Sequence, residues 1–213
     1  MGRPLQDGIE TAANRRYGLV MRKGWMWAAV VVVGAAVLAV AVPRMRRARS
    51  AKAPDAAACP ADAKPANLNF TLKDLDGKVV KLADYKGKVL LLDFWATWCG
   101  PCKVEIPAFV DLYTRYKSQG FEVVGVVLLD KFENAKPFAR DMKMNYPVLN
   151  GDEQQDAIDN AYGPLFGLPM SFIISRDGRI CQKHLGLPGA TATTSPDEKT
   201  VKGVFEAQIK ALL

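Results

Sequence analysis

A chain of 213 residues, 49% of them hydrophobic, has enough apolar mass for one domain of ordinary size together with additional segments. Its net charge of +7 is unevenly placed: residues 1–52 hold ten Lys and Arg against two acidic residues, which leaves 19 basic and 20 acidic residues over 53–213. The basic character therefore belongs to the N-terminal region, suits the flanks of a membrane span, and gives the remainder no electrostatic footprint for nucleic acid.

Residues 1–24 form a polar N-terminal tail without a useful period, in which little fixed structure is expected. Gly2 is not a myristoylation site, because Gln6 stands where that motif requires Ser or Thr. Residues 25–42, WMWAAVVVVGAAVLAVAV, contain 18 residues and no charge. As a helix this run is about 27 Å long, just enough to cross a bilayer core. It is apolar all round rather than along one stripe, which argues against a buried core helix, and Trp25 and Trp27 suit the membrane interface. A cleaved signal peptide competes with a retained anchor, since Ala39-Val40-Ala41 resembles a cleavage site and Met21-Arg22-Lys23 a short basic start. The length of the run favours a transmembrane anchor. Residues 43–67, rich in Ala, Pro and Lys, read as a flexible linker. Fully stretched it would reach on the order of 80 Å, so a domain at 68–213 is expected to be tethered rather than docked.

Residues 68–82 alternate in short stretches around Asp76-Gly77, a hairpin signal. Val89–Trp95 is apolar but for Asp93, the pattern of a strand covered on both faces, and 121–129 is a second such strand. Helices are expected over 102–117, with Pro107 inside, over 134–144 and briefly over 157–162, with an extended piece at 146–149. Residues 170–175 and 179–184 form a hairpin across Asp177-Gly178. Ser195-Pro196-Asp197-Glu198 reads as a capping box with Pro at the first helical position, opening a last helix that turns Val201, Val204, Phe205, Ile209 and Leu212 inward. Strands and helices alternating in this way predict an α/β fold, a mixed sheet with helices on both faces, preceded by a β-hairpin extension and one transmembrane helix.

Chemistry is concentrated where strand 89–95 breaks at Cys99-Gly100-Pro101-Cys102 and continues as a helix. Backbone N–H groups and the positive end of the helix dipole favour a thiolate at Cys99, so its pKa is expected below that of a free cysteine, and the residue is expected to be exposed and reactive. Cys102, one turn further in, is expected to be more buried. A pair this close makes a poor structural staple, because it closes a tiny loop. A C-x-x-C pair is also half of many zinc sites, but the chain has one histidine, His184, and its other cysteines stand apart at Cys59 and Cys181. No P-x-x-x-T-x-x-C peroxidase pattern precedes Cys99, where Leu92 and Ala96 occupy the two key positions. Asp93 in an apolar strand costs several kcal/mol to bury charged, so its pKa is expected to rise. Glu105, three residues after Cys102, can share its helix face or be solvated. Trp95, Trp98 and Phe94 are candidates for an apolar partner-binding rim, although core packing alone explains Phe94, and Met170 is a candidate soft metal ligand but is better read as a core residue.

FWATWCGPCK resembles the active-site segment of thioredoxin-fold proteins. GKVLLLDFWATWCGPCKVEIP, the later Gly167-Leu168-Pro169 and SFIISRDGR narrow the resemblance to the membrane-anchored TlpA/ResA-like thiol:disulfide oxidoreductases, over about residues 67–213. The resemblance implies Cys99 as nucleophile and Cys102 as resolving thiol. It implies Asp93 as proton acceptor for Cys102, at a place where many TlpA/ResA-like proteins carry Asn, and Glu105 as a residue that tunes the thiols. Pro169 matches the family's cis-proline. Together with Leu168, Trp98, Gly100 and Pro101 it would meet the partner, and Met170 replaces the Thr commonly seen next. The implied activity needs no cofactor beyond the redox-active disulfide Cys99–Cys102 and no metal. Its partners would be disulfide-containing or dithiol proteins, for example in cytochrome c maturation or copper-site assembly, together with a membrane electron donor. The implied location is the cytoplasmic membrane, single-pass, held by residues 25–42, with the thioredoxin domain facing the periplasm or cell exterior. Gly-Pro between the cysteines resembles thioredoxin, whose potential of about −270 mV lies far below oxidants at about −120 mV, and so favours a reductant. A dithiol oxidase and a non-catalytic copper-binding module remain as alternatives. Cys59 and Cys181, in an oxidising compartment, either pair with each other or stay free.

If residues 25–42 are retained, the C-terminal domain should be protease-accessible on spheroplasts and remain with membranes after a salt wash. A soluble, N-terminally trimmed product would instead indicate cleavage near Ala41.

Overall fold

Seven consecutive buried residues, Val89–Trp95, form the central strand and carry Asp93 among them. A strand without an exposed face needs cover on both sides, and the other elements supply it. The computed structural model describes residues 59–164 and 167–213. In chain order it contains β1 (Thr71–Lys73), β2 (Val79–Lys81), β3 (Val89–Trp95), α1 (Cys102–Tyr116), β4 (Phe121–Val127), α2 (Phe132–Asp141), β5 (Val148–Asn150), α3 (Gln155–Tyr162), β6 (Met170–Ile174), β7 (Ile180–Leu185) and α4 (Glu198–Lys210). The expected tail at 1–24, the transmembrane segment at 25–42 and the first part of the linker lie outside the described residues. Among the described residues, no helix is long and apolar enough to cross a membrane.

β1 and β2 pair antiparallel as a separate ribbon, while the main sheet runs in the order β5-β4-β3-β6-β7. β3, β4 and β5 are parallel, and β6 and β7 join antiparallel. Alternation of side chains along β3 divides the core in two. On one face Val89, Leu91 and Trp95 join Ile106, Phe109 and Leu112 of α1, Ala135 and Ala139 of α2, and Phe205 and Ile209 of α4. On the other, Leu90, Leu92 and Phe94 join Phe70 and Leu72 of the ribbon and Ile158 and Tyr162 of α3. The result is the expected mixed sheet with helices on both faces.

Local chemistry sets the boundaries, in places against expectation. The ribbon turn is held by Asp74, whose Oδ1 accepts from the N–H groups of Asp76 and Lys78 at 2.9 Å each, while Gly77 takes the left-handed φ of 79°. α2 starts at Phe132 rather than 134. It ends at Asp141 rather than 144, because Lys143 turns left-handed (φ 54°) and the Met144 N–H folds back onto the Ala139 carbonyl at 2.9 Å. α4 is capped by Asp197, not by Ser195 with Pro196 as the first helical residue. The Asp197 carboxylate accepts from the Thr200 N–H at 2.9 Å, a charge-assisted bond at the positive end of the helix.

Residues 59–67, read from sequence as linker, are docked on the β6–β7 hairpin. Ala66 N–H donates to the Gly178 carbonyl at 2.8 Å, Ile180 N–H donates to the Lys64 carbonyl at 2.9 Å, and Pro65 bridges Arg179 in antiparallel register. Cys59 is disulfide-bonded to Cys181, with Cα atoms 4.4 Å apart. β7 is the last strand of the sheet, and its free edge offers unpaired backbone groups that this segment satisfies in part. Replacing both cysteines (Cys59→Ala, Cys181→Ala) releases a link between positions 122 residues apart. Stability should fall by about 2–4 kcal/mol, read as a lower urea midpoint with an unchanged far-UV spectrum. An unchanged midpoint would show that the bridge adds nothing.

Candidate active site

β3 and β4 are parallel and register Trp95 against Val127, so their C-terminal ends open side by side and the loops that follow can hold each other. Asp130, after β4, accepts from Thr97 N–H at 2.8 Å and Thr97 Oγ1 at 2.5 Å. Partial burial pushes the Asp130 carboxyl up, but the bonds from Thr97 and Asn134 outweigh it and hold the group below its ordinary pKa. The indole N–H of Trp98 donates to the Leu129 carbonyl at 2.9 Å. The turn before the cysteines is thus clamped from the neighbouring strand.

Cys102 is the first residue of α1, and its N–H donates to Cys99 Sγ at 3.2 Å. That contact puts the Cys99 sulfur on the unsatisfied amide end of the helix, as the sequence predicts. The two cysteines are disulfide-bonded, with Cα atoms 5.3 Å apart. The expected exposure of Cys99 is not observed: it is 2% accessible and Cys102 is 0%. The bond to Cys102 and the accepted N–H draw its sulfur inward over α1. Trp98 (60% accessible), Gly100 and Pro101 remain at the surface. Trp95 and Phe94 do not form a rim with Trp98, since both lie in a strand covered on each side and are buried.

The Leu168-Pro169 bond is cis. Phe94 registers with Met170 across β3 and β6, so Pro169 stands level with Trp95, beside the end of β3 where the cysteine loop begins. Pro169 is buried, and Leu168 is half-buried against both core faces, including the one that contains Cys99 and Cys102. Met170 belongs to the opposite face, with Phe94, Phe172 and Tyr162, and so is not a ligand partner for the cysteines. Among the described residues, no group of three or more His, Cys, Asp and Glu is arranged to hold a metal. His184 bonds Gln208 at 2.9 Å and packs on Phe205, and burial lowers its pKa. Its role is structural.

Asp93 and Glu105 are both buried, at 0% accessibility, so Glu105 is not a solvated helix residue. The two carboxyls act on each other's titration. Two carboxylates cannot donate, so the pair can bond to each other only when one of them carries a proton. Ser171, opposite Asp93 in the β3–β6 register, donates its hydroxyl to Asp93 Oδ1 at 3.3 Å. Desolvation pushes the Asp93 carboxyl up, against the bonds from Glu105 and Ser171. Desolvation and then the charge of Asp93 push Glu105 well above its ordinary value. Removing a charge from water costs several kcal/mol and one hydroxyl bond returns about 1–3, so burial wins. The pair titrates as a unit. Sequence reasoning singles out Asp93, Glu105 and both cysteines, which the fold brings to one face of β3, but misses Ser171 and Asp130. Neither carries a sequence signal, because each acts through a register between distant segments.

Residues 63–183 match the model of the AhpC/TSA family. The chain is 36% identical over 118 residues to the thiol-disulfide oxidoreductase ResA of Bacillus thuringiensis subsp. konkukian, a match covering 55% of this chain and 66% of that protein. It is 38% identical over 120 residues to ResA of Bacillus subtilis, covering 55% and 64%. The chain thus spans just under two thirds of the length of these curated relatives. The crystal structure of a putative thiol:disulfide interchange protein DsbE from Chlorobium tepidum is similar at a TM-score of 0.59 and 32% identity, over 71% of this chain and 99% of that one. A secreted Mycobacterium tuberculosis disulfide oxidoreductase shares the fold at a TM-score of 0.55 and 21% identity, over 68% and 97%.

The raised carboxyls make stability pH-dependent. Between the unfolded and folded pKa values the folded chain binds more protons, so stability is full below the unfolded value and falls as pH rises through the folded one. Asp93→Asn should therefore stabilise the protein by about 1–3 kcal/mol near pH 8 and by little near pH 4, seen in thermal melts against pH. Equal effects at both pH values would show that the pair is not protonated in the fold.

Proposed function

We propose that this chain, which belongs to the AhpC/TSA family, is a thiol:disulfide oxidoreductase that reduces partner-protein disulfides through Cys99 and Cys102. One observation carries the reading: a Cys-Gly-Pro-Cys pair at the amide end of α1, on the core face that also buries Asp93 and Glu105 with no ion pair to either among the described residues. The Cys99 thiolate attacks one sulfur of the partner disulfide, forms a mixed disulfide and expels the other partner sulfur as a thiolate. Cys102 then gives its thiol proton to the ionised Asp93–Glu105 pair, and the new thiolate attacks Cys99 Sγ. The Cys99–Cys102 bond closes, the second partner sulfur leaves reduced, and two electrons have passed from the chain to the partner. No cofactor takes part.

Trp98, Gly100 and Pro101 are the exposed parts of the motif and half-buried Leu168 borders it, so these residues are assigned to partner contact, while Pro169, which is buried, shapes the Leu168 loop. The Pro169 nitrogen carries no hydrogen, which leaves the Leu168 backbone as the group that pairs with an extended partner strand. The uncharged run at residues 25–42 supports single-pass anchoring in the cytoplasmic membrane with the domain outside. The Cys59–Cys181 bond suits such an oxidising compartment. A reductant working there must be recharged by a membrane electron donor. Apocytochrome c or copper-site assembly proteins are the proposed substrates. The opposite placement of Met170 removes the soft third ligand from a copper-binding reading.

Single-cysteine variants test the assignment. Cys102→Ser should accumulate mixed disulfides with partners on non-reducing gels, and Cys99→Ser should trap almost none. Cys99 in the Cys102→Ser chain should alkylate at least about tenfold faster near neutral pH than Cys102 in Cys99→Ser, the equivalent of one pKa unit. The reverse order of reactivity would overturn the roles. Titration against glutathione reads the direction, because a reductant equilibrates below the glutathione couple and a dithiol oxidase above it.

A further inference from the structure

Part of the buried polar cluster has no task in the mechanism above. Five buried side-chain atoms around Asp93 find no hydrogen-bond partner among the described residues: Asp93 Oδ2, both Glu105 carboxyl oxygens, Trp95 Nε1 and the Tyr146 hydroxyl. Each orphaned polar group costs about 1–3 kcal/mol, and protein interiors meet that cost with each other or with ordered water where there is room.

Gly125 lets these groups come together, because the Trp95 indole takes the space a side chain there would fill. It lies directly across from Asp93 in the β3–β4 register, and its N–H donates to the Pro147 carbonyl at 2.9 Å, which brings the Tyr146-Pro147 segment alongside. A Cβ at Gly125 would stand 2.7 Å from Trp95 Nε1 and 3.4 Å from Tyr146 Cε2. The indole N–H and the tyrosine ring therefore converge over the β4 position that faces Asp93. The Tyr146 ring is fixed edge-on to Tyr113 at 6.3 Å. The titratable groups that act on it are Asp93 from β3 and Glu105 from α1, its ring meets that of Tyr113 from α1, and β4 contributes only Gly125 at this point. Both uncommitted donors of the cluster, Trp95 and Tyr146, thus lie on the face of the sheet that buries its uncommitted carboxyl oxygens.

We propose that Tyr146 is a positioning residue for the proton transfer from Cys102: its hydroxyl, with Trp95 Nε1, donates to the Asp93–Glu105 pair through bridging water, and so favours the ionised form of the pair that accepts the proton. The inference rests on the acceptor role proposed for Asp93 and Glu105. The proton moves from Cys102 Sγ to a carboxylate oxygen, and the phenol keeps its own. Burial first, and then the charges of Asp93 and Glu105, hold the phenol pKa well above its ordinary value, so it stays a donor throughout.

Tyr146→Phe retains the ring and removes only the hydroxyl. In the full chain, the pH profile of the resolving step, read as release of a preformed mixed disulfide at Cys99, should move by about one pH unit to the alkaline side. Below the inflection the rate should fall roughly tenfold. Alkylation of Cys99 should not change. A role limited to packing would alter the melting temperature and leave the inflection where it was. Asp93→Asn, measured in parallel, should abolish the inflection. If it does so while Tyr146→Phe keeps the wild-type profile, the acceptor reading stands and the proposal for Tyr146 is overturned. If Asp93→Asn leaves the profile intact, the acceptor reading fails and takes the proposal with it. Should Tyr146→Phe not fold, the wild-type chain grown with meta-fluorotyrosine, a stronger donor, replaces it. Its inflection should move to the acid side, and an unmoved one overturns the proposal.

Discussion

The arrangement depends on two carboxyls shut between a sheet and a helix. Asp93 and Glu105 are fully buried, and the hydroxyl of Ser171 is the one protein donor bonded to either of them among the described residues. Desolvation exceeds what a single hydrogen bond can return, so the pair holds a proton that an exposed carboxyl would have lost. A group poised in this way can accept a proton near neutral pH. The same burial lowers stability as the pair ionises. The site is therefore strained by the property that makes it useful.

Around this pair the fold works by register rather than by proximity in sequence. β3 brings Asp93 to Ser171 on one side and to Gly125 on the other, and places the end of the strand beside Pro169. The parallel neighbour β4 delivers Asp130, which holds Thr97 and with it the turn that leads into the cysteines. The helix that follows presents its first amide to Cys99 and, one turn on, Glu105 to Asp93. Three strands and one helix thus converge where β3 ends.

The two faces of the sheet divide the work. One carries both cysteines, the carboxyl pair and Trp95 under α1, α2 and α4. The other, with Phe94, Met170, Phe172 and Tyr162, is an apolar layer closed by the ribbon and α3. The Cys59–Cys181 bond and the backbone pairing of residues 64–66 fasten the incoming chain to the far edge of the sheet, at β7, away from the centre.

By itself the sequence determined what short-range chemistry encodes. The unbroken apolarity of Val89–Trp95 marks a doubly covered strand, Gly-Pro turns the chain into a helix, and two cysteines at that helix start define a dithiol. A lone carboxylate in the strand had to be neutral or paired, and the order of strands and helices implied the mixed sheet. The tertiary structure alone decided which partners meet across long separations. Glu105 proved buried rather than solvated, Cys99 turned inward, Trp95 left the rim for the core, Met170 fell on the opposite face, and the linker's end was pinned to β7. Ser171, Asp130, Gly125 and Tyr146 came into view only there. The physical reason is common to all of these: burial, face and hydrogen-bond partner are set by strand register and helix docking, which depend on the whole chain folding at once and leave no periodic or local trace in the residues themselves.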